Sequence, residues 1–335
     1  MSLHNSSSPE TTSSESIIES LSDILSPLPS SLTASETPAF TLLHDPQLAE
    51  MISTHLRQPN SGAGDNALCR WLYDTFQSSD PNLQLVVLRF LPIIAGIYLS
   101  RVILRKPLAG FEAILLALYS HETMSRGGQP ISVNIPDLSH SSLYHETKVP
   151  IKNYSTGLNL AIVSPSLEPH GTIRSTRRAR IVGVTLELYY TKISLMPISS
   201  KIDFCEFCVV WAGDQHHDNK KVSSSDDLGD EGEDIASSSS TNKEVNGGRI
   251  PLPWELLQPI LRILGHCLMG SDTSKELKNV AFVASKSLYE RALHDVNAQA
   301  ILASGSLVKL GKTAMDAKEE DPTEIRDYMN PLTTL

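Results

Sequence analysis

The feature that most constrains this chain is an apolar stretch from Leu83 to Tyr119 that falls just short of a membrane span. Its first half, LQLVVLRFLPIIAGIYLSRVIL, carries Arg89 and Arg101 with Pro92 between them. An arginine near a bilayer centre costs about 2.5–3.5 kcal/mol on insertion scales, so two of them argue against lipid surroundings. The second half, FEAILLALYSHE, puts Phe111, Ile114, Leu115 and Leu118 at i, i+3, i+4 and i+7, one face of a helix. The stretch therefore predicts two strongly apolar helices, Leu83–Leu104 and Leu108–His121, at the centre of a large helical core. Pro92 should start or kink its helix, since proline lacks the N–H and crowds the preceding turn. Arg89, Gly96 and Ser100 form a thin small-or-polar stripe, so protein is expected to cover nearly all of that first helix.

Around this core the composition narrows the class. A chain of 335 residues holds one large or two medium domains. Hydrophobic content of 40% is low for a globular chain because polar low-complexity segments dilute it. A net charge of −10 disfavours a general nucleic-acid role. Cys69, Cys205, Cys208 and Cys267 are too scattered for a disulfide framework, which points to a reducing, intracellular compartment. The first residues, MSLHNSSSPETTSSES, show neither a basic nor an apolar leader region, and Glu10, Glu15 and Glu19 precede the first arginine, Arg57. Neither a glycine at position 2 nor a C-terminal prenylation box is written, so membrane work would need another subunit as anchor.

The organisation reads as five parts. Residues 1–38 are a low-complexity, disordered segment with a short helix at Ser16–Leu25. Residues 39–212 are a helical core, with helices at Asp45–Leu56 and Asp65–Phe76, the second capped by Asp65. Within it, Ile131, Val133 and Ile135 alternate with Ser132 and Asn134 as a short strand ended by Pro136, the start of a small β element near 130–146. Arg180–Leu195 and Lys201–Trp211 read as further helices. Residues 213–249 form an acidic, Ser-rich linker. Residues 250–315 are C-terminal helices packing on the core, striped by Trp254, Leu257, Leu261, Leu264 and Leu268, then Leu277, Ala281, Ala284 and Leu288, then Ile301, Leu302, Leu307 and Leu310. Residues 316–335 are a polar tail. The fold class is mainly α, an irregular helical bundle or solenoid-like stack of helix hairpins with that one β element.

Motifs for chemistry are weak throughout. Gly62–Ala67 matches G-x-G-x-x-A, but a helix end and a loop precede it where a dinucleotide site needs a strand, so it reads as a turn into a helix cap. Cys205 and Cys208 form C-x-x-C without a second pair; three residues apart on a helix, they read as buried thiols and not as zinc ligands. His121-Glu122 and His145-Glu146 lack the histidine that a zincin helix requires. Asp137, His140, His145 and Glu146 supply the parts of an acid–base site, which leaves a small hydrolase or lipid-modifying enzyme as an alternative reading. One dense basic cluster, Arg174, Arg177, Arg178 and Arg180, is a candidate contact for a partner or for anionic lipid headgroups, each charge worth up to about 1 kcal/mol there. No catalytic, cofactor or metal residue is assigned.

Several strings taken in order resemble the hyccin family. They are Phe90-Leu91-Pro92, Ile135-Pro136-Asp137-Leu138-Ser139, Ser142-Leu143-Tyr144-His145-Glu146, Leu188-Tyr189-Tyr190, Leu195-Met196-Pro197, the Cys205–Cys208 segment and Arg249-Ile250-Pro251. They cover roughly Leu68 to Leu310, and Leu293-His294-Asp295 with Ala300-Ile301-Leu302-Ala303 resembles the plant branch. The resemblance implies a mostly helical, non-catalytic subunit of the plasma-membrane complex of type III alpha phosphatidylinositol 4-kinase. Its implied partners are a helical-repeat scaffold subunit and the kinase catalytic subunit, with a separate lipid-anchored subunit holding the assembly at the inner face of the plasma membrane. It implies no cofactor and no nucleic acid. A generic helical adaptor of another pathway shares the same physical features.

Overall fold

The computed structural model describes residues 9–25, 27, 29, 32, 37–78, 80–136, 158–169, 173–174, 177–213, 253–270 and 274–316. They form twelve α-helices and one two-stranded antiparallel sheet, the mainly α fold with a small β element that the sequence predicts. In order these are α1 (Pro9–Ile24), α2 (Pro38–His44), α3 (Pro46–Arg57), α4 (Ala67–Gln77), α5 (Pro81–Arg89), α6 (Leu91–Ile103) and α7 (Ala109–Arg126). Then follow β1 (Ile131–Pro136), β2 (Leu158–Ser164), α8 (Arg178–Thr191), α9 (Ile198–Ala212), α10 (Trp254–Met269), α11 (Lys275–His294) and α12 (Ala298–Asp316). Short polar caps decide where the helices start. Asp45, read as the first residue of a helix, is instead its cap and accepts from the N–H groups of Gln47 and Leu48 at 2.8 and 3.0 Å. The cap of α4 is Asn66 and not the expected Asp65: its side chain takes the Cys69 N–H at 2.9 Å.

Phe90 and Pro92 divide the apolar stretch into α5 and α6, which meet at a bend of 45°. Pro92 sits in the first turn of α6, where its missing N–H costs no helix bond. No single described helix is long and apolar enough to cross a membrane, and the bent pair is largely core: Leu83, Val86, Val87, Phe90, Leu91, Ile94 and Ala95 are buried. Its two arginines are clamps on the ends of earlier helices. Buried Arg89 donates to the carbonyls of Leu42 and Leu43 at the end of α2, and to Ser199 Oγ at 3.3 Å. Arg101 donates to the carbonyls of Gln58 and Ser61, each at 2.6 Å, just past the end of α3. A cation at a helix C-terminus answers both the unpaired carbonyls and the negative end of the dipole. The expected full coverage of this segment fails beyond Leu99, since Ser100 and Leu104 are exposed and Arg89 belongs to the other side of the bend.

The later helices close over this centre. α8 packs on α7 and α10, α9 on α6 and α11, and α12 on α10 and α11. At the α8–α10 crossing, Pro259 inside α10 lacks the N–H that would bind the Glu255 carbonyl. That carbonyl faces Gly183, where an added Cβ would lie 2.3 Å from the Glu255 oxygen, so the backbones touch. The α11 stripe of Leu277, Ala281, Ala284 and Leu288 is buried as expected. Two other stripes are corrected. In α10 the buried side is Leu256, Leu257, Ile260, Ile263, Leu264, Cys267 and Leu268, leaving Trp254 exposed. In α12 it is Ala300, Ser304, Leu307 and Gly311, while Leu302 and Leu310 face outward. Close approach explains α12: a side chain at Gly311 would meet the Phe282 ring at 2.8 Å.

The N-terminal expectation is also corrected. The first helix begins at Pro9, not Ser16, and Leu21, Leu25 and Leu32 are fully buried, so the core begins before residue 39. Trp71 Nε1 of α4 donates to the Ile17 carbonyl of α1 at 2.9 Å and ties that helix down. Residues 214–252 and 317–335, which hold the acidic linker and the polar tail, lie outside the described residues.

Candidate interaction surface

The two strands form a ribbon in which neither strand carries a charged residue. Val133 pairs with Ala161 and Ile135 with Asn159, so Val133 and Ile135 share one face. Ile162 pairs with Ser132 and Leu160 with Asn134, which puts Leu160 and Ile162 on the other. Both faces are open: Leu160 and Ile162 are 68% and 63% exposed, Val133 and Ile135 43% and 49%. The alternation in β1 thus marks a strand correctly but not a half-buried one, because among the described residues no third strand and no helix covers either face. An apolar ribbon of two strands is marginal by itself and lacks the charges that usually protect a sheet edge.

Its root, by contrast, is firmly held. Arg126 at the end of α7 donates to Glu122 Oε1 at 2.5 Å, to Glu187 Oε2 of α8 at 2.7 Å and to Ser164 Oγ of β2 at 2.9 Å. The guanidinium and both carboxylates are buried, with side chains 8%, 8% and 4% exposed. Gly127 takes the left-handed conformation that ends α7, and the Gly128 carbonyl accepts the Leu167 N–H at 2.9 Å. Tyr119 adds a bond from its hydroxyl to the Glu168 carbonyl at 3.1 Å.

The basic cluster does not act as one patch. Arg180 is buried and its Nη2 donates to the Pro165 carbonyl at 2.9 Å, which makes it part of the ribbon's support. Arg178 lies 4.0 Å from Glu112 Oε1, the oxygen that accepts from the Tyr98 hydroxyl at 3.1 Å. Burial and then the Glu112 carboxylate push the Tyr98 hydroxyl up to about 12. Arg177 pairs with Glu168 at the surface, and Arg174 is exposed. Linear density of arginines thus overstates the charge on offer, and the apolar residues of β2 were the signal missed: Leu158, Leu160 and Ile162 alternate in LNLAIVS.

Cys205 and Cys208 face the core from α9 and lie with Cys267 of α10, all fully buried. The hydrogen bond with Cys267 and then burial push the Cys205 thiol well up; burial does the same to Cys208, and pushes Cys69 up to about 11. The same hydrogen bond with Cys205 pulls the Cys267 thiol down, so what protects all four sulfurs alike is burial away from any reagent. Ellman's reagent at pH 8 should therefore titrate none of the four in the native protein and all four in guanidinium; one thiol reacting within seconds in buffer would refute the packing role. Glu122, read in an H-E pair, is spent on Arg126, while Asp137, His140, His145 and Glu146 lie outside the described residues. Among the described residues no group of three or more His, Cys, Asp or Glu is placed to hold a metal ion.

Compared with known families, the chain is matched over residues 33–334 by the family model described as Hyccin.

Proposed function

The chain belongs to the hyccin family, and on that membership we propose that it is a non-enzymatic adaptor subunit of a phosphatidylinositol 4-kinase complex. In this reading it stabilises a helical-repeat scaffold subunit, which in turn holds the catalytic subunit. A separate lipid-anchored subunit keeps the assembly at the inner face of the plasma membrane, where it supports phosphatidylinositol 4-phosphate synthesis. The family match, which spans nearly the whole chain, is the observation that carries the reading. The uncharged ribbon, which among the described residues is open on both faces and held at its root, supports it, because a permanent subunit hides apolar surface of this kind against its partners. Exposed Arg174 is then the member of the basic cluster best placed for an acidic partner or headgroup.

Affinity purification of the tagged full chain from native membranes tests this. A phosphatidylinositol 4-kinase catalytic subunit and a helical-repeat protein should co-purify in fixed ratio. Their absence from a preparation in which the chain itself is folded would overturn the assignment.

A further inference from the structure

The apolar stretch loses its cover where α6 ends, since residues 103–107 are all exposed. Ile103 and Leu104 are 36% and 51% exposed, and Arg105 and Lys106 follow them directly. From Pro81 to Phe111 the chain has four cations and no carboxylate. Arg89 and Arg101 are consumed by internal carbonyls, whereas among the described residues Arg105 and Lys106 form no ion pair. The turn is firmly rooted. Arg101 holds the end of α6 to the Gln58 and Ser61 carbonyls, Leu108 is buried, and the Gly110 N–H donates to the Gly62 carbonyl at 2.9 Å. Arg105 itself stands in the left-handed region at φ 53°, a conformation that glycine takes freely and arginine does not. A turn fixed before contact loses little entropy on binding.

The surroundings add charge of the same sign. Arg178 lies 4.0 Å from Glu112 in the first turn of α7, so the start of α8, with exposed Arg174 and Arg177, sits at this end of α7. These three arginines, with Arg105 and Lys106, outnumber the nearby carboxylates of Glu112, of Glu168 paired to Arg177, and of Asp65 in the loop that packs on Ala109. The result is a positive surplus on a chain whose net charge is −10. Binding to a membrane surface grows with the apolar area buried and with the attraction of cations to anionic lipid, and this turn offers both.

We propose that residues 103–107 are a bilayer-contact tip for an anionic membrane. Ile103 and Leu104 enter the boundary between headgroups and acyl chains, while Arg105 and Lys106 meet the headgroup phosphates. The ribbon is rooted at the opposite end of α7, 18 residues or roughly 27 Å away at about 1.5 Å per residue, so a partner on the ribbon leaves the tip free. This inference goes beyond the adaptor reading and does not rest on it, since the contact needs only this chain and a bilayer.

Flotation of the purified full chain with lipid vesicles tests it. Vesicles of phosphatidylcholine with about 30% phosphatidylserine should carry the chain about tenfold better than phosphatidylcholine alone. Arg105→Glu with Lys106→Glu should cut binding to the anionic vesicles by about tenfold or more, and Leu104→Ser should cut it severalfold. Arg105→Gly separates contact from shape, because glycine suits the left-handed turn. That variant should unfold at no lower temperature than the natural chain yet bind about fivefold more weakly. Lys309→Glu with Lys312→Glu, on the exposed side of α12, should leave binding unchanged. An equal loss from that pair would reduce the attraction to general charge and overturn the proposal. So would equal flotation with the two kinds of vesicle, or none with either; these comparisons use the natural chain and stand even where a variant fails to fold.

Discussion

Arg126→Met should cost about 3–5 kcal/mol of folding stability, the range for breaking a buried ion pair by removing one partner. The size follows from what is left behind. Glu122 and Glu187 converge on the guanidinium from α7 and α8 with almost no exposure, so neither carboxylate regains water when the arginine is gone. Methionine fills the volume of the stem, which separates loss of charge from creation of a cavity. Urea unfolding followed by circular dichroism measures the cost. Adding Glu187→Gln to the same chain should recover part of it, because an amide tolerates burial better than an unpaired carboxylate. Hydrogen exchange should accelerate first in β2, since Ser164 Oγ loses its donor at 2.9 Å. A variant within 1 kcal/mol of the natural protein by that assay would mean that water reaches the triad and that the ribbon is anchored by other contacts.

Much of this architecture was legible in the chain because it rests on local rules. The break at Pro92, the α11 stripe and the helix read at Arg180–Leu195, which runs over Arg178–Thr191 and gives way to a 3-10 turn at Ile193–Leu195, all follow from periodicity and proline chemistry over one or two turns. What Arg89 and Arg101 do was not legible. Both read only as charges that spoil a membrane span, yet each meets carbonyls more than 35 residues away in sequence, Leu43 and Ser61 among them. The α10 stripe slipped because WELLQPILRILGHCLM is apolar on most sides, and counting leucines alone passes over Ile260, Ile263 and Cys267. In α12 Leu307 was read correctly, but the other buried positions are Ala, Ser and Gly, which allow close approach and are invisible to a search for large side chains.

The surface shows the same division. A run of four arginines is read easily, but its partners, Glu112, Glu168 and the Pro165 carbonyl, come from other parts of the chain and consume most of it. The ribbon depends on a pairing between residues 131–136 and 158–164 across an intervening segment, which alternation in β1 alone does not reveal. A family resemblance, carried by short strings, reached further toward function than either pattern, because it draws on the order of many weak signals at once.

The ribbon supplies the sharpest separation of fold from function. Leu160→Glu with Ile162→Glu should leave folding stability within about 1 kcal/mol, since exposed strand positions carry small propensity effects and these side chains bury little. Under the proposed adaptor role, the same pair should reduce co-purification of the kinase complex by about a hundredfold or more. Each side chain is worth about 1.5–3 kcal/mol when covered, a charge pressed into an apolar contact adds to that, and every 1.4 kcal/mol is tenfold in affinity. Val133→Glu with Ile135→Glu puts the same question to the opposite face, so comparison of the two pairs shows whether the partner grips one side or both. Lysine at Leu160 and Ile162 distinguishes what does the covering. A protein surface rejects either sign of charge, whereas a ribbon resting on an anionic membrane would keep or gain affinity with lysine. Normal capture of the complex by both glutamate pairs, each shown to be folded, would remove the ribbon from the interface.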